Sequence, residues 1–273
     1  MRKWNVLVTT LTFTGLVLGF GAGIARAQDD DENPNDSRAA CQGLPSQGDL
    51  KSALIAARGL NSAQSNGGFG LHMWATIVNR DGVVCAVAYT GNVRSDQWPG
   101  SRVISAQKAN TANAFSLPSL VLSTANLYSA VQPGGSLAGL QESNPVNTEV
   151  AYRGNPKHNG EGNDGMIGGR IGGINIFGGG LALYKSGQNL IGGLGVSGDS
   201  SCADHNIAWR VRNILELDYL PNGVSGDANR PDNIVYDIAT LAGHSTGVSA
   251  GGWGHPACSA AATAIAPTLP AKR

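Results

Sequence analysis

Between Gly178 and Gly198 the chain reads GGGLALYKSGQNLIGGLGVSG, and more than a third of that stretch is glycine. No other run restricts the backbone as much. It is either a loop that cradles phosphate or regular structure packed too closely to admit side chains. A Walker loop needs Lys followed by Ser or Thr at the start of a helix. This run ends in Gly198-Asp199-Ser200, and the Asp199 carboxylate would repel a phosphate. A dinucleotide fingerprint sets its glycines between the strand and helix of a βαβ unit. Here LALY and LIGGLGV are short apolar runs joined by the turn KSGQN, so Gly192, Gly193 and Gly195 fall inside a strand. Glycine in a strand interior marks close approach by backbone or ligand. The stretch reads as a hairpin with something packed on it.

The neighbouring segments carry the remaining periodic signals. Asp49 is placed to cap a helix in which Leu50, Leu54, Ala57 and Leu60 share one side. LHMWATIV and VVCAVAY read as strands joined through Asp81-Gly82, a second hairpin. SRVISAQKANTANAFS returns to helical spacing, with Ile104, Lys108, Thr111 and Phe115 along one side. After the glycine hairpin, SGDSS supplies capping side chains for the helix CADHNIAWRVRNILEL, with Ile207, Val211, Ile214 and Leu215 on its inner face. From 120 to about 172 the pattern weakens into Gly, Pro, Asn and Ser, a long loop region with short regular pieces.

The ends point to export. Arg2 and Lys3, an apolar run from Val6 to Phe20, and Ala25-Arg26-Ala27 have the layout of a signal peptide over 1–27, cleaved before Gln28. The apolar run is shorter than the roughly 20 residues that span a bilayer, so the mature chain is expected to have no membrane span. Residues 28–47 begin as an acidic linker, QDDDENPND. Losing Arg2, Lys3 and Arg26 leaves 16 basic against 19 acidic residues, a net charge of −3. That balance argues against a nucleic-acid partner. Cys41, Cys85, Cys202 and Cys258 contain no Cys-x-x-Cys, and in a secreted or periplasmic chain they imply two disulfides with three possible pairings. Residues 221–273 form an extension whose last part, SAAATAIAPTLPAKR, is expected to trail as a flexible tail.

At these residues the chain resembles the GlcG/HbpS haem-binding family, which is related to the C-terminal domain of the PduO proteins. IVNRDGVVCAVAYTG matches the family's V-D-x-x-G turn, with Asn79 in place of Asp. AQKANTANAF matches K-A-x-T-A through Lys108, Ala109, Thr111 and Ala112, and LIGGLGVSG matches G-x-I-G-V-S-G before a helix carrying Asp204. Leu181 stands where the family has proline. The resemblance covers about 48–118 and 173–218. It implies an α+β fold over 48–220, a profilin-like or longin-like antiparallel sheet flanked by helices, with a loop insertion at about 120–172. It also implies homo-oligomers and tetrapyrrole binding.

The residues that would carry such chemistry are few. Haem needs an apolar slot, an axial ligand and cations for its propionates. His72 on the first strand is a candidate ligand, and Lys108 and Thr111 are the positions the resemblance singles out. Asp204 follows as a fourth. Each has a structural alternative: a surface lysine, a helix threonine bonded back to its own turn, an acid at a helix start. His158, His205, His244 and His255 complete the histidines, and no pair has zinc-site spacing. Ser197 in GVSGD approaches the G-x-S-x-G elbow, but Asp199 stands in place of its last glycine, so no catalytic residue is assigned. The expectation is an exported binding protein for haem, with cobalamin as the second choice of ligand. The alternatives are an enzyme or enzyme accessory acting on a small organic acid or corrinoid, and an oligomeric interaction module without a small ligand.

Overall fold

The computed structural model describes residues 39–59, 66–241 and 244–273. The expected signal peptide and the start of the acidic linker lie outside the described residues, as does Leu60. Among the described residues no helix is long and apolar enough to cross a membrane.

Helix α1 (Gln47–Arg58) starts one turn earlier than a cap at Asp49 would allow. Ser46 is the cap: Asp49 N donates to Ser46 Oγ at 3.2 Å, and Ser46 N donates back to the Asp49 carboxylate at 3.0 Å. Asp49 is thus the third helical residue of a capping box. Strands β1 (Trp74–Asn79) and β2 (Val84–Tyr89) form the first hairpin, and β3 (Gly180–Lys185) and β4 (Asn189–Ser197) the second. The two hairpins join through β1 and β4 into one antiparallel sheet of order β2-β1-β4-β3. Helix α2 (Ser101–Phe115) covers one face, and α1 with α3 (Ser201–Ile214) covers the other. The α+β class and the antiparallel sheet flanked by helices are therefore as read from the sequence.

The strand glycines explain how α2 sits so low on the sheet. A Cβ at Gly193 would lie 2.2 Å from Ala109 O, and one at Gly195 would lie 1.8 Å from Ser105 O. The object packed on the glycine hairpin is the backbone of α2.

Two expectations change. Ile214 is 47 % exposed because α3 ends there, and the chain reverses through Glu216 at φ 57° so that Leu217 takes the inward position. Residues 259–273 pack rather than trail. Helix α4 (Ala260–Ile265) buries Ala262, Leu269 is 1 % exposed, Trp209 Nε1 donates to Pro270 O at 2.9 Å, and Arg273 pairs with Asp218 at 2.5 Å. Residues 120–172 hold only short helical pieces, yet they contribute to the core. Met166 and Ile171 are fully buried, and Arg102 on α2 forms an ion pair with Asp164 inside that segment. A second, two-stranded sheet, β5 (Ile238–Leu241) with β6 (His244–Ser249), lies in the extension without an expected counterpart. The disulfides are Cys41–Cys85 and Cys202–Cys258, which tie the segment before α1 to β2 and the extension to α3.

Candidate functional site

His72 lies just before β1, on a segment braced from two sides. The Asp199 carboxylate accepts from Phe69 N at 2.8 Å and Leu71 N at 3.1 Å, while Arg58 donates to Leu71 O and Gly70 O at 2.7 and 2.9 Å. Just beyond β2, Thr90 N donates to Met73 O at 2.9 Å and Met73 N donates to Thr90 Oγ1 at 2.8 Å. The same hydroxyl lies 3.0 Å from His72 Nδ1. Beyond Thr90 the chain closes on itself: Gln97 Nε2 donates to Thr90 O and to Val93 O, and Asp96 accepts from Asn92 N and Val93 N. Two short segments are thereby joined at the His72–Thr90 bond. They carry Phe69, Val93 and Trp98, which are 70 %, 53 % and 53 % exposed, and the exposed Arg94. Large apolar side chains held at the surface mark a binding patch more often than scattered exposure does. Partial burial, then the nearby Arg58 charge, lowers the His72 pKa against the opposing effect of Asp96, so the ring is neutral at pH 7.

Lys108 and Asp204 are brought together elsewhere. Lys108 reaches from α2 past the end of β4 to Asp204 on α3, with Nζ 2.8 Å from Oδ2 and 3.1 Å from Val196 O. Both side chains are buried, and Asp199 N donates to the other Asp204 oxygen at 2.9 Å. Gly179 leaves the passage open, since a Cβ there would stand 3.3 Å from Nζ and 3.0 Å from Asp204 Cβ. Burial raises the Asp204 pKa to about 6, and Lys108 acts against that rise. The lysine charge is met inside the fold.

Thr111 is also buried. Its hydroxyl donates to Gln107 O at 2.8 Å, the helix back-bond, and accepts from Asn175 N at 3.0 Å. This bond holds one wall of a cavity of about 450 Å³ lined by Asn110, Ala114, Phe115, Leu140, Pro145 and Ile174, among others. The size suits a small organic ligand, but its lining holds no cation and no histidine, cysteine or methionine.

Two of the other histidines are closed to a ligand. His205 is buried, its Nε2 accepting from Ile234 N at 3.2 Å, and burial pushes its pKa down to about 3. His255 is buried between Pro256 O and Ser201 Oγ, each at 2.8 Å, and burial takes its pKa down to about 4. His158 is exposed, and His244 falls on β6. His72 has a half-buried, neutral ring, and its own segment and the one joined to it through Thr90 carry exposed apolar side chains and an exposed cation. Phe69, Thr90, Arg94 and Trp98 escaped sequence reasoning, and nothing in their spacing marks them.

The model for haem degrading, HbpS-like proteins matches residues 50–212. The chain belongs to the HbpS-like family. The matched span runs from within α1 to within α3 and includes both hairpins, α2 and residues 120–172. Among solved structures, the chain is similar to the PduOC:haem complex, at 26 % identity over 61 % of this chain and 89 % of that one, with a TM-score of 0.41. The Klebsiella pneumoniae protein ORFY is 24 % identical over 61 % and 87 %, TM-score 0.40. A double mutant of Streptomyces reticuli HbpS is 18 % identical over 62 % and 83 %, TM-score 0.39. Among curated proteins, none matches.

Proposed function

We propose that this HbpS-like protein is an exported binding protein for haem or a related tetrapyrrole, with the ligand held at the patch around His72. The observation that carries the reading is a half-buried, neutral imidazole, tethered at one nitrogen by Thr90, on segments that also carry exposed Phe69, Val93 and Trp98, in a chain of this family. Bound there, haem would supply a redox-active iron. His72 would hold the iron, the apolar side chains would cover the macrocycle and Arg94 would face the propionates. Lys108, Asp204 and Thr111 act in this reading as positioning residues that fix α2 against α3 and against residues 173–175. Self-association into at least a dimer belongs to the same reading, since it would cover the exposed rings and the ligand together.

Haemin titrated into the purified protein is expected to give a Soret band that shifts and saturates at fixed stoichiometry, with light scattering above the monomer mass. His72→Ala is expected to weaken binding by about tenfold or more, as loss of a ligand or its support does. Haemin that gives only an unsaturable background sinks the reading, and saturation by cobalamin alone moves the ligand to corrinoids. The family's description favours a second reading, turnover of the bound haem. Loss of the Soret band with iron release in the presence of peroxide, beyond that of free haemin, would support it.

Export rests on the leader-like start and on two disulfides, which persist in oxidising compartments. Protein recovered from the periplasm or medium of its host is expected to begin at Gln28, and recovery of the full-length chain would remove the leader from the proposal.

A further inference from the structure

At the junction of α3 and the C-terminal extension, Cys202, His255 and Cys258 each offer a ligand atom, and the three atoms lie within 4.8 Å of one another. The two sulfurs are joined as a disulfide, so the oxidised protein has no thiolate to give. We propose that reduction of the Cys202–Cys258 bond converts this cluster into a zinc site with two thiolate ligands and the His255 imidazole, a redox-gated metal site separate from the His72 patch.

Several features prepare these groups for a soft divalent ion. Each sulfur already accepts a backbone amide: Cys202 N donates to Cys258 Sγ and Cys258 N donates to Cys202 Sγ, both at 3.2 Å. Amide donors and the N-terminal turn of a helix both favour thiolate over thiol, and Cys202 is the second residue of α3. The imidazole is fixed in orientation and tautomer. Its Nδ1–H donates to Pro256 O at 2.8 Å, which leaves Nε2 with the lone pair, now accepting from Ser201 Oγ at 2.8 Å. Metal-bound histidines commonly donate their other ring N–H in this way. The Tyr128 ring packs against the imidazole at 5.1 Å between centroids, and His255 N donates to Val235 O at 2.8 Å, so the histidine keeps its place without help from the disulfide. Cys202 and His255 are buried, whereas Cys258 is exposed and gives a reductant and an ion access to one sulfur.

The chemistry balances with a dithiol as reductant. The dithiol transfers two electrons to the S–S bond and closes to its own disulfide, leaving two protein thiols. Zinc then forms two S–Zn bonds and one N–Zn bond as both thiols release their protons to solvent. Two thiolates cancel the charge of the ion, which suits a site with two of its three ligands buried, and the fourth zinc position is left to water, as in sites with three protein ligands. Thiolate and imidazole donors select zinc over hard cations such as calcium or magnesium.

The test uses the full mature chain, reduced with dithiothreitol, freed of reductant without air, and titrated with cobalt(II) as the spectroscopic probe. The expected result is one equivalent bound, with a near-ultraviolet thiolate-to-cobalt band and intense visible bands that equimolar zinc abolishes. Oxidised protein should give neither. Cys202→Ser/Cys258→Ser, which retains the other cysteine pair, should lose the signal, and His255→Gln should weaken binding at least tenfold. Zinc should also raise the Tm of the reduced wild type and leave that of the reduced double variant unchanged. A reduced wild type without the bands overturns the proposal. So does an equal signal in the double serine variant, which would place the metal at Cys41 and Cys85. A chain that unfolds on reduction and binds cobalt through loose thiols would bind as well with His255→Gln, and that result overturns it too.

Discussion

Lys108→Ala is expected to cost about 2 kcal/mol of unfolding free energy at pH 7.5, because Asp204 without its cation avoids a buried unpaired charge by taking up a proton. The mechanism is the stranded partner. Asp204 would be left buried with only Asp199 N as a close donor, because Nζ at 2.8 Å supplies the opposing charge, and its pKa would rise further. pH separates this from simple loss of packing. In the folded protein Asp204 holds its proton up to about pH 6, against the 3.8 of an unperturbed carboxyl. The folded state therefore binds the extra proton between about pH 4 and 6. The stabilisation from that proton is complete at the acid side and is lost as pH rises through 6. Replacing the group by Asp204→Asn should abolish this slope, so the wild type should lose about 3 kcal/mol relative to Asp204→Asn between pH 4 and pH 7.5. The Lys108→Ala penalty should shrink toward pH 5, where Asp204 keeps its proton and needs no counter-charge. Urea midpoints at the two pH values provide the measurement. A Lys108→Ala penalty below about 1 kcal/mol at pH 7.5 would mean that the pair behaves like a solvated one.

Gly195→Ala, one added methyl group, is expected to destabilise by about 3 kcal/mol, the upper end of the overpacking range. The new Cβ would fall 1.8 Å from Ser105 O and 2.5 Å from Ala109 N, both backbone atoms of α2. A side chain at that distance can rotate away, but a helix backbone cannot. Helix α2 would have to lift from β4, drawing with it the Thr76–Ser105 hydrogen bond of 2.7 Å and the Lys108–Asp204 pair. Gly162→Ala is the matched control, since nothing lies within 4 Å of its added Cβ, and its effect should stay within about 0.5 kcal/mol. Equal urea midpoints for the two variants would show that α2 yields and that the glycines serve another purpose.

Features that depend on residues a few positions apart are legible in the sequence itself. Short continuous apolar runs on either side of Asp81-Gly82 and KSGQN mark both hairpins, because strands covered on both faces need no polar alternation and turns need permissive residues. Glycine inside LIGGLGV signals close approach, and spacing with caps locates α1, α2 and α3 within a few residues. Four cysteines in an export-like chain imply two bridges but not their pairing. Lys108 and Asp204 can be singled out one at a time, yet 96 positions separate them, and only the crossing of α2 and α3 at the end of β4 makes them partners. The docking of 259–273 is hidden for a related reason. Alanine, threonine and proline give little apolar signal, and the segment is held largely by its own carbonyls, with Ala262 O, Ala266 O and Pro270 O accepting from Asn206, Asn233 and Trp209. Every residue has a carbonyl, so no pattern of side chains announces such a bond. The patch at His72 is the same case. Thr90 is ordinary in sequence and becomes the partner of His72 only where the chain leaving β2 delivers its hydroxyl to the imidazole.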